Sequence, residues 1–421
     1  MLDTTDTALR DEEARNVLRG DDMGTYTVPT HGLYPYQWNW DSAFSAWGMA
    51  TFDTDRAWTE VETLLAHQWP SGMVPHIIFH KDDPGYFPGP DVWASGREVA
   101  TSGISQPPVA ASFVRRLLEQ DPDGRDRAAA LVEPLLKWHG WFMQWRMAEG
   151  CIFVTHPWES GRDNARDWDV AMGRIDTSGV GEYQRRDTSH VDAAMRPHKA
   201  DYDRYLALLY HGRDTGWSDA EIAATAPFRV ADPGMTFILL RACRDLVWLA
   251  DATGQSAGDT ADWIAELEAG AARHWNSELG AYDSWDLQTG DFTGTISSAS
   301  YLCWYAGVEQ PRMMARLTAL FDRVKYPVPS LDPDNPDLDP LRYWRGPTWP
   351  IINTLIGLGL EDMGHTDAAD RLRRGTAELV AGHGFNEYFE PSTGTAAGGR
   401  AFSWTAAVWL AWLSPTAKGG G

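Results

Sequence analysis

Cysteine is scarce in this chain: three occur among 421 residues, Cys151, Cys243 and Cys303. Because no two of them form a CxxC pair, the sequence excludes a disulfide framework, a zinc ribbon and a thiol redox motif. Long apolar runs are also missing, and none approaches the roughly 18 residues that a membrane helix needs. The sequence begins with polar and acidic residues, where a secretory signal would be basic and then apolar. These absences predict a soluble, cytoplasmic protein that does not bind a membrane.

Basic residues are few, since 36 Lys and Arg stand against 59 Asp and Glu and give a net charge of −23. Such a chain repels phosphate backbones, which argues against nucleic acid as a partner. The sequence has no P-loop, GxGxxG or GxSxG, which disfavours nucleotide-dependent and serine-hydrolase chemistry. The histidines form no HExxH, and the acidic run 332–339 lacks the central glycine and final glutamate of an EF-hand. We therefore expect no metal and no cofactor.

Tryptophan, in contrast, is abundant, with 22 residues. Many lie in segments that also hold carboxylates and turn-forming residues: 32–44, 101–111, 155–169, 338–350 and 384–394. Flat aromatic rings stack on sugar faces, and carboxylates accept hydrogen bonds from sugar hydroxyls. The alternative is that these rings only fill the ends of a helical core. Five such segments together favour a sugar site.

Helical periodicity dominates the rest of the chain. In 233–254, apolar residues recur at the spacing of a helix with one buried face, after Asp232 as a possible cap and Pro233 in the first turn. Similar patterns predict helices near 41–51, 55–67, 107–119, 126–147, 201–211, 295–306, 310–323, 348–360, 366–381 and 402–413. A second apolar stripe runs from Trp263 to Ala271, and a capping box of Ser218 and Glu221 predicts a shorter helix that follows the box. About a dozen helices without a linker predict an all-α fold, an (α/α)6 barrel of helical hairpins with long loops covering the site. We expect one domain over 1–421, with an N-terminal helical arm at 1–20 and a flexible tail at 415–421.

Two carboxylates are candidates for acid–base chemistry. Asp163 lies in ESGRDN, and Glu387 lies between aromatic residues in FNEYFEPSTG. Hydrolysis of a glycoside needs one carboxyl that is protonated and one that is ionised. Burial among aromatic rings raises a carboxyl pKa and a nearby guanidinium lowers it, so their surroundings could separate the two roles. With 59 acidic residues present, spacing alone leaves solvated surface charges as the alternative.

Several strings are specific enough to name a family: QWNWDSAF, MVPHIIF, SGISQPP, HPWESGRDN, YWRGPTW, EYFEPSTG and FSWTAA. In this order, from about residue 25 to about 412, they resemble glycoside hydrolase family 63, and most closely its bacterial branch of mannosylglycerate and glucosylglycerate hydrolases. The resemblance implies an (α/α)6 barrel and inversion at the anomeric carbon. It also implies that Asp163 is the general acid and Glu387 the general base, with the carboxyls about 6.5–9.5 Å apart to admit a water.

The resemblance also implies the substrate contacts. The glucose ring is expected to be held by a larger set, Trp40, Asp41, Gln106, Arg162, Tyr343, Trp344, Gly346 and Trp349. Arg196 and Tyr202 match the pair that receives the glycerate carboxylate, for which a guanidinium fork and a phenol are suited. From the residues alone, a surface pair of Arg196 with Asp201 or Asp203 is the alternative. Tyr36, by its loop position, is expected to cover the acceptor together with the loop near 180–200.

The function expected from these observations is hydrolysis of 2-O-α-D-glucosylglycerate to glucose and D-glycerate, with mannosylglycerate as the second candidate. One alternative is a trehalase-like α-glucosidase for a neutral disaccharide, which would not depend on Arg196. Another is a sugar epimerase, which would need histidine bases, and a third is a sugar-binding protein without activity. The partner is a small glycoside, and a homo-oligomer is a further expectation.

Overall fold

Helices make up most of the structure, which is a computed structural model describing residues 4–417. The α-helices among the described residues are α1 Thr4–Gly20, α2 Asn39–Met49, α3 Thr54–Ala66, α4 Pro90–Trp93, α5 Ala110–Gln120, α6 Arg125–Trp145, α7 Asp169–Met172, α8 Asp187–His190, α9 Lys199–Asp214, α10 Asp219–Thr225, α11 Pro233–Thr253, α12 Thr260–Arg273, α13 Pro311–Arg323, α14 Pro350–Asp362, α15 Thr366–His383 and α16 Ser403–Val408. A 3₁₀ helix covers Ser298–Cys303, and a π-helical turn, Trp409–Leu413, follows α16. The predicted helix-rich class is confirmed.

Strands are short and pair antiparallel. They are β1 Gln37–Trp38, β2 Ile77–Ile78, β3 Met147–Ala148, β4 Cys151–Val154, β5 Val230–Ala231, β6 Trp275–Asn276, β7 Ala281–Tyr282, β8 Trp285–Asp286, β9 Asn386–Phe389 and β10 Ala396–Arg400. The largest sheet has the order β3-β4-β5-β8, while β1-β2, β6-β7 and β9-β10 form two-stranded pairs. The chain leaves β4 just before the segment that carries Asp163, and Glu387 lies on β9. A strand therefore carries Glu387, whereas Asp163 lies in the irregular segment that follows β4.

The start of α11 illustrates how the local sequence specifies a helix. Asp232 accepts a hydrogen bond from the backbone N–H of Gly234 at 3.0 Å, and Pro233 occupies the first turn. The helix ends at Gly254, whose φ of +73° lies in the left-handed region that favours glycine. Between these ends, its buried side chains recur at helical spacing. The predicted cap and first-turn proline are thereby confirmed.

Six buried elements contact one another in a closed circle. In order they are α2, α5, α11, the 3₁₀ helix Ser298–Cys303, α14 and α16, which returns to α2. Four outer helices each pack on the preceding member of the circle: α3 on α2, α6 on α5, α12 on α11 and α15 on α14. One large apolar cluster occupies the interior, with a small second cluster around Cys151, Phe153 and Ala231.

The N-terminal helix α1 is joined to the last described segment of the chain. The carboxylate of Asp11 accepts hydrogen bonds from Trp409 Nε1 at 2.9 Å, Ser414 Oγ at 2.7 Å and Thr416 Oγ1 at 2.5 Å. Residues 1–3 of the predicted arm and 418–421 of the predicted tail lie outside the described residues. None of the described helices is long and apolar enough to cross a membrane. The single-domain organisation stays a prediction.

Carboxylates of the acidic run 332–339 form ion pairs with arginines of this chain. Asp337 pairs with Arg166 at 2.6 Å and Asp339 with Arg342 at 2.9 Å, and Asp334 pairs with Arg323. Among the residues that the structure describes, no group of three or more His, Cys, Asp or Glu side chains is arranged to hold a metal ion. The run is therefore a loop held by ion pairs.

Candidate active site

A cleft of about 850 Å³, solvent at its mouth included, lies where the inner elements begin. Its walls come from the first residues of α2 and α16, from segments just before α5 and α14, and from β9. The aromatic residues of the wall are Tyr34, Trp38, Trp40, Tyr86, Phe87, Trp158, Tyr202, Tyr343, Phe402 and Trp404. The polar residues are Asp41, His76, Gln106, Asp163, Arg186, Asp187, Arg196 and Glu387. A volume of this size suits a small, largely buried ligand.

Of the thirteen predicted site residues, the structure brings eight to this wall. They are Asp163, Glu387, Trp40, Asp41, Gln106, Arg196, Tyr202 and Tyr343. The other five, Tyr36, Arg162, Trp344, Gly346 and Trp349, lie behind it. Both predicted catalytic carboxyls thus line one cleft although 224 positions separate them in the sequence (387 − 163).

Trp344 and Trp349 form a support behind Tyr343. Their rings stack with centroids 3.8 Å apart and planes at 5°, and Trp349 Nε1 donates to the carbonyl of Tyr343 at 3.1 Å. The N–H of Gly346 donates to Ser330 Oγ at 2.8 Å, and a side chain at 346 would collide with the backbone of Asp339. The YWRGPTW segment therefore presents Tyr343 to the cleft and uses its other residues for packing.

Tyr36 and Arg162 face protein rather than the cleft. The hydroxyl of Tyr36 donates to the carbonyl of Asp83 at 3.4 Å, and its ring packs edge-on against Tyr86, a residue of the cleft wall. Arg162 is 3% exposed and forms ion pairs with Asp167 and Asp232. Tyr36 thus supports the loop above the cleft, and the Arg162 guanidinium is paired behind the wall.

Glu387 is held by three donors. The N–H of Gly399 on β10 donates to Oε2 at 2.8 Å, Tyr34 Oη donates to Oε1 at 3.2 Å, and Arg196 Nη1 lies 3.4 Å from both oxygens. A side chain at Gly398, whose φ is +73°, would collide with the carboxylate. Burial raises the pKa of Glu387 above its usual value, and these donors oppose that shift. The β9–β10 hairpin thus fixes an oriented carboxyl group.

Asp163 is in a different environment. Its backbone carbonyl accepts a hydrogen bond from Tyr205 Oη at 3.0 Å, but its carboxyl group receives no hydrogen bond from any other residue that the structure describes. Burial raises the pKa of Asp163 to about 7; Arg196 opposes this shift, and the charge of Glu387 adds to it. A carboxyl group with this pKa is partly protonated at neutral pH, as a general acid requires.

Arg196 connects the cleft to the loop before α9. It is 4% exposed, and each guanidinium nitrogen has a partner: Nε with Asp187 at 3.1 Å, Nη2 with Tyr34 Oη at 2.6 Å, and Nη1 with Glu387. Its guanidinium carbon lies 4.1 Å from the centroid of the Tyr343 ring. The surface pairing with Asp201 or Asp203 considered above is not formed; Asp201 pairs with Arg204 and Asp203 with Lys199.

The loop of residues 183–198 forms one side of the cleft. Asp187 in this loop accepts two hydrogen bonds from Arg185, at 3.0 and 2.6 Å, besides the one from Arg196. The Arg185 guanidinium lies 4.2 Å from the centroid of the Tyr202 ring. Tyr202 is the predicted partner of Arg196, and its hydroxyl reaches the carbonyl of Phe87 at 3.4 Å. The loop predicted near 180–200 therefore does border the cleft.

The floor of the cleft is formed at the start of α2. The N–H of Trp40 donates to Gln106 Oε1 at 3.2 Å, which connects α2 to the segment before α5. Burial raises the pKa of Asp41 well above its usual value, so this side chain favours the protonated form. A neutral carboxyl donates one hydrogen bond and accepts others, which suits sugar hydroxyls.

Several wall residues were not predicted from the sequence. Tyr34 and Trp38 lie in the same aromatic segment as Trp40, Trp158 lies in HPWESGRDN, and Phe402 and Trp404 lie in FSWTAA, so their segments carried the signal. Asp187, in contrast, stands in a polar stretch without aromatic neighbours or a family string. No sequence signal distinguished it from the other acidic residues.

The comparisons with known proteins identify the family of this chain. A family model described as the mannosylglycerate hydrolase MGH1-like glycoside hydrolase domain matches residues 34–405. This chain belongs to that family. It is a glycoside hydrolase, and the resemblance to family 63 read from its sequence is confirmed.

Similar members of the family include plant and bacterial enzymes. Mannosylglycerate hydrolase MGH1 of Selaginella moellendorffii is 45% identical over 420 residues, 96% of this chain and 86% of that protein. Glucosylglycerate hydrolase of Mycolicibacterium hassiacum is 34% identical over 432 residues, 95% of this chain and 96% of that protein. The crystal structure of the family 63 mannosylglycerate hydrolase from Thermus thermophilus, in complex with Tris and D-glycerate, superposes with a TM-score of 0.92 at 42% identity, covering 95% of this chain and 98% of that one.

Proposed function

We propose that this chain is an inverting hydrolase of an α-linked glycosylglycerate, with mannosylglycerate as the first substrate and glucosylglycerate as the second. The observation that carries the proposal is one cleft in which the buried carboxyl group of Glu387, held by three donors, and the partly buried Asp163, whose carboxyl group no other described residue holds, line the wall together with a buried arginine. The sequence alone favoured glucosylglycerate. The order changes because the chain is 45% identical to a mannosylglycerate hydrolase and 34% identical to the glucosylglycerate hydrolase.

In the proposed reaction Asp163 is the general acid. It donates its proton to the glycosidic oxygen as the bond from that oxygen to the anomeric carbon breaks, which releases glycerate. Glu387 removes a proton from a water molecule whose oxygen attacks the same carbon from the opposite face, which inverts its configuration. The acid then lacks a proton and the base holds one, so exchange with solvent restores both. The pKa of about 7 for Asp163 and the three donors on Glu387 support this assignment.

The glycerate carboxylate is proposed to bind Arg196 and Tyr202. Because each nitrogen of Arg196 already has a partner, a two-point contact with an incoming carboxylate competes with one of these partners. Asp187 is the partner most easily replaced, since two hydrogen bonds from Arg185 still satisfy it after it leaves Arg196. The loop near 180–200 would then close over an occupied site with its charges paired.

The hexose is proposed to contact Trp40, Asp41, Gln106 and Tyr343 directly. Of the other predicted ring-holding residues, Trp344, Gly346 and Trp349 would act from behind the wall by fixing Tyr343. Arg162 lies behind the wall without contacting any of these groups and pairs with Asp167 and Asp232. The closed circle of six inner elements with helices packed outside it supports the predicted (α/α)6 barrel. The location in the cytoplasm and the assembly into a homo-oligomer remain predictions.

A proton NMR time course tests the proposal. The enzyme is incubated with mannosylglycerate and, in parallel, with glucosylglycerate, and the anomer released first is recorded before mutarotation. We expect the β-hexose from the α-linked substrate, and faster release from mannosylglycerate. Early release of the α-hexose would contradict inversion. If neither compound is cleaved, the substrate assignment is wrong, and a neutral disaccharide cleaved independently of Arg196 would take its place.

A further inference from the structure

Arg162 precedes the proposed general acid, but its guanidinium is directed away from the cleft. Nη2 pairs with Asp232 at 2.8 Å and Nη1 with Asp167 at 3.3 Å, and all three side chains are 3% exposed or less. Nη1 also donates to Ser297 Oγ at 3.2 Å. A buried guanidinium shared between two carboxylates is strongly fixed, because its loss would leave two buried carboxylates without their counter-charge.

The partners of Arg162 belong to two inner elements and a neighbouring segment. Asp232 caps α11, and Ser297 precedes the 3₁₀ helix Ser298–Cys303. Asp167 accepts hydrogen bonds from Ser284 Oγ at 2.9 Å and Ser297 Oγ at 3.1 Å. Arg162 therefore connects the turn that carries Asp163 to the starting ends of two members of the inner circle.

The backbone around Asp163 is fixed on both sides. The N–H of Arg162 donates to Ser160 Oγ at 3.0 Å, and its carbonyl accepts from Trp168 Nε1 at 2.7 Å. The carbonyl of Asp163 accepts from Tyr205 Oη at 3.0 Å. Since no other described residue donates a hydrogen bond to the Asp163 carboxyl, its position depends on this backbone.

We infer that Arg162 is a positioning residue, whose ion pairs with Asp167 and Asp232 hold the turn that aims the Asp163 carboxyl at the glycosidic oxygen. This inference rests on the proposed function, in which Asp163 is the acid. It differs from the role that the family resemblance suggested, because Arg162 acts through Asp163 and not on the sugar. Its loss should therefore impair protonation of the leaving group and leave binding of the hexose unchanged.

The test compares two substrates in the Arg162→Lys variant. Mannosylglycerate needs a proton on its leaving oxygen, whereas α-mannosyl fluoride releases a weakly basic fluoride ion that departs without a proton from the acid. For mannosylglycerate we expect kcat to fall about 100-fold with KM unchanged, since a small misplacement of a catalytic group has an effect of that order. For the fluoride we expect the wild-type rate.

Three further variants serve as references. Asp163→Asn should likewise lower the rate on mannosylglycerate but not on the fluoride, and the loss should be larger than in Arg162→Lys. Arg241→Lys is the matched control, because Arg241 is also a largely buried arginine shared between two carboxylates, Asp245 and Asp362, and none of the three lines the cleft. We expect Arg241→Lys to lower the melting temperature without separating the two substrates. If Arg162→Lys fails to fold, Asp232→Asn replaces it, since asparagine still caps α11 but lacks the charge.

The results that would overturn the inference are distinct. An equal loss on both substrates, or a raised KM with kcat unchanged, would mean that Arg162 is structural or binds the hexose. If Arg241→Lys separated the substrates as Arg162→Lys does, the effect would belong to general loosening of the fold. A wild-type enzyme that cleaves no glycosylglycerate would overturn the proposed function and the inference together, whereas the other results overturn only the role of Arg162.

Discussion

Glu387 and Asp163 line the same cleft from segments far apart in the sequence, and they differ in how their side chains are held. Glu387 receives hydrogen bonds from Gly399, Tyr34 and Arg196. The Asp163 carboxyl receives none from the other described residues and is positioned through its backbone. The pKa of each is raised by burial, but only Glu387 has close donors that favour its ionised form. Burial alone therefore does not assign the roles; the donors do.

The largest expected effect comes from replacing Glu387, whose carboxyl group is held by three donors. Glu387→Gln should lower kcat on mannosylglycerate by about 10⁴-fold, the upper end of the range for a lost general base. The same loss is expected with α-mannosyl fluoride, because the water must be activated with either leaving group. Steady-state rates of both reactions are the measurement, and Glu378→Gln, on the exposed face of α15, is the control. Near-native activity of Glu387→Gln would remove this residue from the mechanism.

Replacing Asp163, whose carboxyl group receives no hydrogen bond from another described residue, should affect the two substrates differently. Asp163→Asn is expected to lower the rate on mannosylglycerate by about 10³-fold, within the range for a lost general acid. With the fluoride the rate should stay close to that of wild type. Both rates are measured in the same enzyme preparation, so that a folding defect lowers them together. Equal losses on the two substrates would mean that the two carboxyls do not differ as proposed.

The pH dependence of the wild-type enzyme sharpens the comparison. The acid must be protonated, so kcat/KM for mannosylglycerate should fall about tenfold per pH unit above the Asp163 pKa of about 7. The base must be ionised, so kcat/KM falls again as the pH drops below the pKa of Glu387. With the fluoride the alkaline fall should be absent. A fluoride profile that also falls above neutral pH would assign that limb to another group.

Removing the charge of Arg196 should move both limbs of the pH profile. Arg196 lowers the pKa of Asp163 and of Glu387, so in Arg196→Gln both values rise and the whole profile shifts to higher pH. KM for mannosylglycerate should rise about tenfold or more, because a charge-assisted contact with the glycerate carboxylate is lost. The pH profile of kcat/KM is the measurement. An unchanged KM would favour a neutral acceptor.

The smallest effect is expected from Tyr34→Phe. The Tyr34 hydroxyl stabilises the ionised form of Glu387, so its removal should raise the pKa of Glu387. The acidic limb of the kcat/KM profile should then move to higher pH by less than about one unit. The alkaline limb should stay in place, because Tyr34 makes no hydrogen bond to the Asp163 carboxyl. The two limbs of one profile thus act as test and control. Movement of the alkaline limb alone would contradict the assignment.

The helical class and most helix positions could be predicted, because buried helices repeat their apolar residues at a regular spacing. The helix predicted near 402–413 divides into α16 and a π-helical turn, and the one near 295–306 is a short 3₁₀ helix. Periodicity does not distinguish these backbone forms. The short helices α4, α7 and α8 were missed because four residues are too few to show a period.

Some site residues could be predicted from the sequence and others could not. Asp163 and Arg162 are neighbours in one family string, yet the structure places one side chain on the cleft wall and the other in an ion-pair network behind it. Consecutive residues of a turn point in different directions, and only the packing around the turn determines which of them faces a ligand. Asp187 had no signal, because its importance comes from the two arginines that the fold brings to it.

The joining of α1 to the end of the described chain affects how the protein is made. Asp11 is synthesised long before its partners Trp409, Ser414 and Thr416. Until residues 402–416 are made, the inner circle lacks α16, and the cleft wall lacks Phe402 and Trp404. A chain truncated before residue 402 is therefore expected to be inactive, however well its earlier helices have folded.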